Sequence, residues 1–332
     1  GVFFFYRSWI ILTEHTTFNN LSQKQKNWIL ALCLLMSIRF ILYNFDMIQM
    51  TFFLLWGILE SIKQFKQNKN ITGGLILALI INVKIMPVVI IPYLLYRGQF
   101  KASLYTIAFS IVYLFIPAIY MGWEGNLTLL IDWWSVVNPS NSEHLIESEL
   151  GPHGLTALIP SLLTDTNGIL EEKRNILNLS IDSAIQATNV VRLALIALTL
   201  VILKWPPFKN VSNKLHHLQE VAFITLLIPL IFPHQQKYAF LLLFPAIFYL
   251  AFYLVSFYHN RKNPAIKTKW LTILTLFILS FILMTLSTDG VIGRTLNNYT
   301  QHYKTITYGA LFLVWGVLIL PYRHFMVKEA KV

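Results

Sequence analysis

Long apolar runs broken by short polar punctuation dominate this chain. Four stretches, 102–123, 238–260, 270–288 and 305–322, contain no Asp, Glu, Lys or Arg at all. Each is near the ~20 apolar residues that a helix needs to cross a hydrocarbon core. Less clean runs occupy 27–43, 46–62, 186–204 and 219–233, and residues 1–12 read as the tail of a further span. No run alternates with the period of two that a lipid-facing strand requires, so the pattern predicts helices rather than a barrel. Trp28, Trp123, Trp205 and Trp270 fall at predicted span ends, where indole favours the interface.

One segment breaks the simple count. Residues 70–96 carry basic flanks at both ends, Lys84 near the middle and Pro87 three residues later. The stretch is too short to cross twice. It predicts a re-entrant hairpin of two short helices, near 71–82 and 85–96, with Lys84 near the tip; the alternative is one tilted span with both ends basic. Such backbone is tolerated at membrane depth only inside protein or beside a wet cavity.

Composition agrees with this pattern. Hydrophobic residues make up 56% of the 332 residues and charged residues 12%, against about 25% charged in a soluble domain. That excludes disorder, a coiled coil and a soluble globular fold. A single cysteine, Cys33, excludes a disulfide framework. The expected fold is all-α, a polytopic transmembrane helix bundle forming one integral membrane domain over 1–332. The chain opens inside an apolar run without Met and reads as lacking an N-terminal part.

Charge sets the orientation. Lys24 and Lys26, Lys63 to Lys69, Arg97 and Lys101, Lys204 to Lys214, Arg261 to Lys269, and Arg323 to Lys331 lie in loops on one side, 17 of the 26 Lys and Arg. Nine of the fifteen acidic residues lie in 122–187. The positive-inside rule makes the basic side cytoplasmic and 122–187 one large extracytoplasmic loop. Within it, Leu127 to Trp134 is amphipathic enough to lie on the membrane surface, and Gly154 to Pro160 predicts a second short helix. The net charge of +11 then reads as basic loops on anionic lipid, with no nucleic acid as partner.

Candidate chemistry sits at the polar interruptions. Lys84 is ionisable at membrane depth, which marks function unless it has a purely structural partner. Arg39 and Arg192 are weaker, because each can snorkel from near a span end. Pro233-His234-Gln235-Gln236-Lys237-Tyr238 joins two spans on the outer side. It offers cations and donors suited to phosphate, with no second ligand at metal spacing. Asn44-Phe45-Asp46-Met47-Ile48-Gln49 turns at the same face, with Asp46 a possible general base or helix cap and Gln49 a possible hydroxyl binder. His153 reads as a solvated loop histidine, and His216-His217 as a cytoplasmic pair near lipid headgroups. There is no nucleotide-binding glycine motif and no zinc-protease motif, and no cofactor or metal is expected.

Three of these segments in order carry a resemblance: Asn44 to Gln49; Gly73-Gly74 through Lys84-Ile85-Met86-Pro87 to Pro92-Tyr93-Leu94-Leu95-Tyr96-Arg97; and Pro233 to Tyr238 leading into Leu241-Leu242-Leu243-Phe244-Pro245. Over about 27–250 the chain resembles glycosyltransferase family 87, of the GT-C superfamily. The resemblance implies an enzyme, a hexosyltransferase with a polyprenyl-phosphate sugar donor, usually mannose, and a glycolipid or glycan acceptor. The reaction would lie at the outer face of a bacterial inner (plasma) membrane. Asp46 is then the candidate catalytic base, and Gln49, Lys84, His234, Gln235 and Lys237 the candidate substrate-binding residues. The family's acid usually lies in the loop after the first span, upstream of where this chain starts. A multispan transporter or flippase, and an O-antigen polymerase or ligase, remain open as alternatives.

Overall fold

The computed structural model describes residues 1–137, 151–166, 168–204, 207–209 and 211–326. In chain order the helices are α1 (Val2–Glu14), α2 (Gln23–Asp46), α3 (Thr51–Lys66), α4 (Asn70–Val83), α5 (Ile90–Tyr96), α6 (Phe100–Phe115) and α7 (Ala118–Val137). They continue with α8 (Leu155–Leu163), α9 (Ile181–Leu203), α10 (Lys214–Ile231), α11 (Phe244–Ser256), α12 (Pro264–Phe281), α13 (Asp289–His302) and α14 (Thr305–Ile319). No strand occurs among the described residues. Among the described residues, five helical segments are long and apolar enough to cross a membrane, or six when the α6–α7 pair, bent by 95°, counts as one broken span. The protein is an all-α multi-pass membrane protein.

Contacts gather into two compact units. The first comprises Gly1–Ile11, Phe52–Leu145 and Pro206–Val211. Here α1 lies on α3 through Phe4 against Phe53 and Trp56, and Arg7 reaches Glu60 at 3.6 Å. Helices α3 and α4 run antiparallel: Gly57 faces Ile80 and Gly73 faces Phe65. The pairing of α4 with α6 has the opposite sense. Gly74 abuts Tyr105 and Thr106, and the Asn82 amide donates to the Ser110 carbonyl at 3.3 Å, so α4 and α6 advance in the same direction.

The chain therefore doubles back between α4 and α6, as the expected hairpin requires. Lys84 is the turning point, in extended conformation (φ −155°, ψ 124°). Pro87 explains the break: in a continued helix it would have no N–H for the Val83 carbonyl and its ring would clash with that carbonyl. The return leg is a 3-10 turn, Met86–Val89, followed by α5. At Gly74 a Cβ would lie 2.8 Å from the Tyr105 Cβ, so only glycine permits this approach of α4 to α6.

The second unit comprises Leu12–Thr51, Ile146–Trp205 and Ser212–Val332. Its core is α10 and α11, buried along nearly their whole length; α11 and the second half of α10 are apolar on nearly every face, whereas the first half of α10 buries His216, His217, Gln219 and Glu220. Helices α2, α9, α12 and α14 surround that pair, and α9 leaves most of its surface exposed. Buried polar side chains fasten the layers: Tyr249 Oη donates to the Leu320 carbonyl at 2.6 Å, Trp270 Nε1 to Leu254 at 2.8 Å and Ser280 Oγ to Gly309 at 2.7 Å.

The two ends of this unit differ. One end gathers Lys24, Lys26, Lys204, Lys214, Arg261, Lys262, Lys267, Lys269 and Arg323. His216 and His217 lie at this end, and the structure corrects their reading as lipid-facing. Both are buried. His216 stacks on Tyr322 at 4.4 Å with Nε2 3.3 Å from Glu220, while His217 stacks on His15 at 5.2 Å. The other end carries the close of α2, the start of α11's leading turn, α8 and α13. The expected surface helix at 127–134 lies in α7, and the one at 154–160 starts α8. Residues 138–150 of the expected outer loop lie outside the described residues.

Candidate active site

The second unit assembles most of its ionisable and donor groups at that other end. Helix α2 enters with a full capping box, Ser22 and Gln25 bonding each other's backbone. It carries Arg39 two turns before its close. The Arg39 guanidinium is buried and donates to the Met284 carbonyl at 2.8 Å, to Ser287 Oγ at 2.7 Å and more weakly to Asn297 Oδ1 at 3.5 Å. Met284 lies in a π-helical turn, Ile282–Leu286, that ends the α12 span. Such turns recur at functional sites because they break the regular ladder.

Facing Arg39's helix is the connection from α10 to α11. Phe232 leaves α10 extended, and His234 takes the left-handed conformation (φ 56°), uncommon for a residue with a Cβ. A 3-10 turn, Lys237–Leu243, then leads into α11. Lys237 Nζ donates to Gln301 Oε1 at 2.8 Å and lies 5.5 Å from the centre of the Tyr43 ring, which stacks with Tyr238. Asn44 is buried; its amide donates to the Phe40 and Tyr238 carbonyls, and its Oδ1 finds no partner among the described residues. Gln235 is likewise buried with Oε1 unpartnered. Arg39 and Lys237 thus have neutral hydrogen-bond partners alone among the described residues.

His153 overturns its sequence reading as a solvated loop residue. It has 0% exposure, and neither ring nitrogen has a partner among the described residues. Its backbone is clamped instead. The N–H donates to Gln235 O at 2.8 Å, its carbonyl accepts from the Thr307 hydroxyl, and Lys304 Nζ bonds the Pro152 carbonyl at 2.9 Å. Burial first, and then the charges of Lys304, Lys237 and Arg39, hold the imidazole well below the usual histidine range. The ring is therefore neutral, because its protonation would add another positive charge to a cationic cluster. Asp289 lies on the exposed rim. The Thr288 hydroxyl holds its carboxyl below the ordinary value, helped against partial desolvation by the Gly290 and Asp289 amides and by Lys237.

Of the residues singled out in the sequence, Gln235 and Lys237 enter this cluster. His234 is exposed on the turn beside it. Asp46 is the exposed last residue of α2, and Gln49 folds its amide back onto Met47 O at 3.2 Å. Lys84 belongs to the first unit, half-exposed at the break. Sequence reasoning ranked Arg39 too low, read His153 as solvated, and missed Asn297, Gln301 and Lys304. One signal was available: a polar stretch of about one helix between the last two spans, 288–304, which folds as α13.

No curated protein and no solved structure matches this chain significantly. A comparison with protein-family models matches residues 2–229 to Glycosyltransferase family 87. The match spans more than half of the chain and stops just before the turn that carries His234 and Lys237, and it takes the transporter and polymerase readings out of consideration. The chain belongs to glycosyltransferase family 87.

Proposed function

We propose that this membrane glycosyltransferase takes a sugar, mannose in the first instance, from a polyprenyl-phosphate donor and passes it to a glycolipid or glycan acceptor. The observation that carries this reading is the pair Arg39 and Lys237, cations in a half-buried to buried cluster whose hydrogen-bond partners are neutral, with the Asp289 carboxylate acting on both from the exposed rim. A unit negative charge about 4 Å from a cation interacts by roughly 4 kcal/mol at an effective dielectric near 20. A lipid phosphate supplies that charge. The basic opposite end of the same unit fits the cytoplasmic face, so the cluster opens toward the outer leaflet.

In the reaction the acceptor hydroxyl attacks the anomeric carbon, the bond from that carbon to the phosphate oxygen breaks, and a carboxylate takes the hydroxyl proton. Lys237 and Arg39 stabilise the negative charge that grows on the leaving phosphate. His234 and Gln235 border the same turn and serve as donor contacts. Asp46 is the proposed base, with Gln49 beside it for the acceptor hydroxyl, and Lys84 is the proposed substrate contact of the first unit.

The test compares donors. Purified protein in vesicles should transfer labelled mannose from a short-chain polyprenyl phosphomannose and leave a nucleotide-linked mannose untouched. Transfer from the nucleotide sugar, or passage of intact lipid-linked sugar across the bilayer without transfer, would overturn the reading.

A further inference from the structure

The end of α8 leads into a segment, described over Thr164–Thr166 and Gly168–Leu179, that returns to α8. Its return leg is tied to α8: Ile176 N–H donates to Leu162 O at 2.7 Å and Leu179 N–H to Leu163 O at 2.7 Å. Its outer part is tied to the end of α13. Leu170 N–H donates to His302 Nδ1 at 3.3 Å, and His302 Nε2 lies 2.9 Å from Glu172 O. Arg174 donates to the His302 carbonyl at 3.3 Å and to Thr166 Oγ1 at 3.1 Å, and Tyr299 Oη donates to Glu172 Oε1 at 2.8 Å.

These partners fix one tautomer. An amide N–H only donates, so Nδ1 is bare; a carbonyl only accepts, so Nε2 carries the proton. The neutral ring satisfies both bonds at once. A second proton, on Nδ1, would set N–H against N–H. Space is equally specific: a Cβ on Gly168 would lie 2.5 Å from both Cε1 and Nδ1 of the ring.

We infer that His302 is a positioning residue that latches this extracytoplasmic strap to α13 and thereby holds Gln301 and Asn297 against Lys237 and Arg39. Gln301 is the adjacent residue, and Asn297 lies on the same short helix. Thr300 Oγ1 also ties the helix to the Ser287 carbonyl at 3.3 Å, while many of its side chains are exposed. The inference rests on the donor-site reading for its effect on activity, but the latch itself is a property of the strap and α13.

The sign of the pH effect follows from the groups around the ring. Arg174 on the strap and Lys304 just before α14 oppose its protonation, whereas the Glu172 carboxylate favours it; Tyr299 on α13 donates to that carboxylate, and the Tyr303 ring, just after α13, meets the imidazole edge-on. Burial leads these effects, and the folded value lies below the ordinary 6.5. A released His302 binds the proton more readily than a latched one. The latch is complete above the ordinary value and is lost progressively as pH falls below it toward the folded value.

The experiment measures binding of a short-chain polyprenyl phosphomannose, a diester of constant charge, between pH 7.5 and 5.5. Amide exchange across 164–179, corrected for intrinsic rates, is followed in the ligand-free protein. In the wild type, one coupled proton weakens affinity by up to about tenfold per pH unit, and exchange of the strap quickens over the same range. His302→Phe keeps a ring but neither bond, and Gly168→Ala pushes the ring off Leu170. Both should bind weakly at pH 7.5 with a flattened profile and a fast-exchanging strap. Wild-type binding and slope in both variants would overturn the inference. Absence of any donor binding by the wild type would sink the functional reading instead, and exchange of the strap would still decide the latch.

Discussion

Replacing Lys237 by Met separates the cation's role in the fold from its role toward a phosphate. In the structure Lys237 makes one charge-assisted bond, to Gln301 at 2.8 Å, and one contact with the face of Tyr43. Such a bond contributes about 1.5–3 kcal/mol, and a cation over a ring about 0.5–2 kcal/mol. Against these stands the cost of holding a half-buried ammonium out of water, which an apolar side chain of similar length does not incur. The terms nearly cancel, so Lys237→Met should change folding stability by only about 1 kcal/mol. Transition-state stabilisation has no such offset. Losing one preorganised donor to a developing anion typically costs about 10²–10³ in rate. Single-turnover transfer from labelled polyprenyl phosphomannose, measured beside thermal unfolding of the same sample, gives both quantities. Lys237→Arg keeps the charge and should retain most of the rate. Activity of Lys237→Met within threefold of wild type, or a rate loss that merely tracks loss of folded protein, would refute the reasoning.

Three further variants and a labelling pair extend the same logic. Lys84→Met should abolish transfer while its unfolding profile stays near wild type, since Lys84 is half-exposed at a backbone break rather than in a packed layer; full activity would assign it a structural role. Gly74→Val forces a side chain onto the Tyr105 and Thr106 backbone, and overpacking of this kind costs about 1–3 kcal/mol, to be read as a lowered unfolding temperature. Asp46→Asn should lower the transfer rate without weakening donor binding, and an unchanged rate would pass the role of base to another carboxylate. Cysteines at Lys173 and Lys262 should label from outside and from inside respectively, against a silent background because Cys33 is fully buried; the reverse pattern would invert the topology.

The hairpin shows how far the chain can be read locally. Pro87, the glycine pair and the basic flanks carry the break at Lys84 in their own chemistry, because a missing N–H and a missing Cβ act at the position where they occur. The spans are partly local, since lipid demands a continuous apolar run: 27–43, 186–204, 219–233, 238–260 and 270–288 recur within a few residues, whereas 46–62 and 305–322 fold as the shorter α3 and α14 and the bend between α6 and α7 breaks 102–123. The bend between α6 and α7 was partly visible in the amphipathic run at 127–134. The candidate site was not local. Asp46 and Gln49 stand out as polar residues at a turn, yet the structure leaves Asp46 on the surface and turns Gln49 back on its own backbone. His153 looked solvated because glycine and proline surround it. Its burial comes from Gln235, Thr307 and Lys304, which lie 82, 154 and 151 positions further along the chain. Arg39 looked able to snorkel, but the π turn at Met284 and the start of α13 close over it. Sequence by itself determines which segments are apolar enough to cross a membrane, because solvation acts residue by residue. Which charges meet is decided by packing between segments more than a hundred residues apart, and that only the tertiary structure sets.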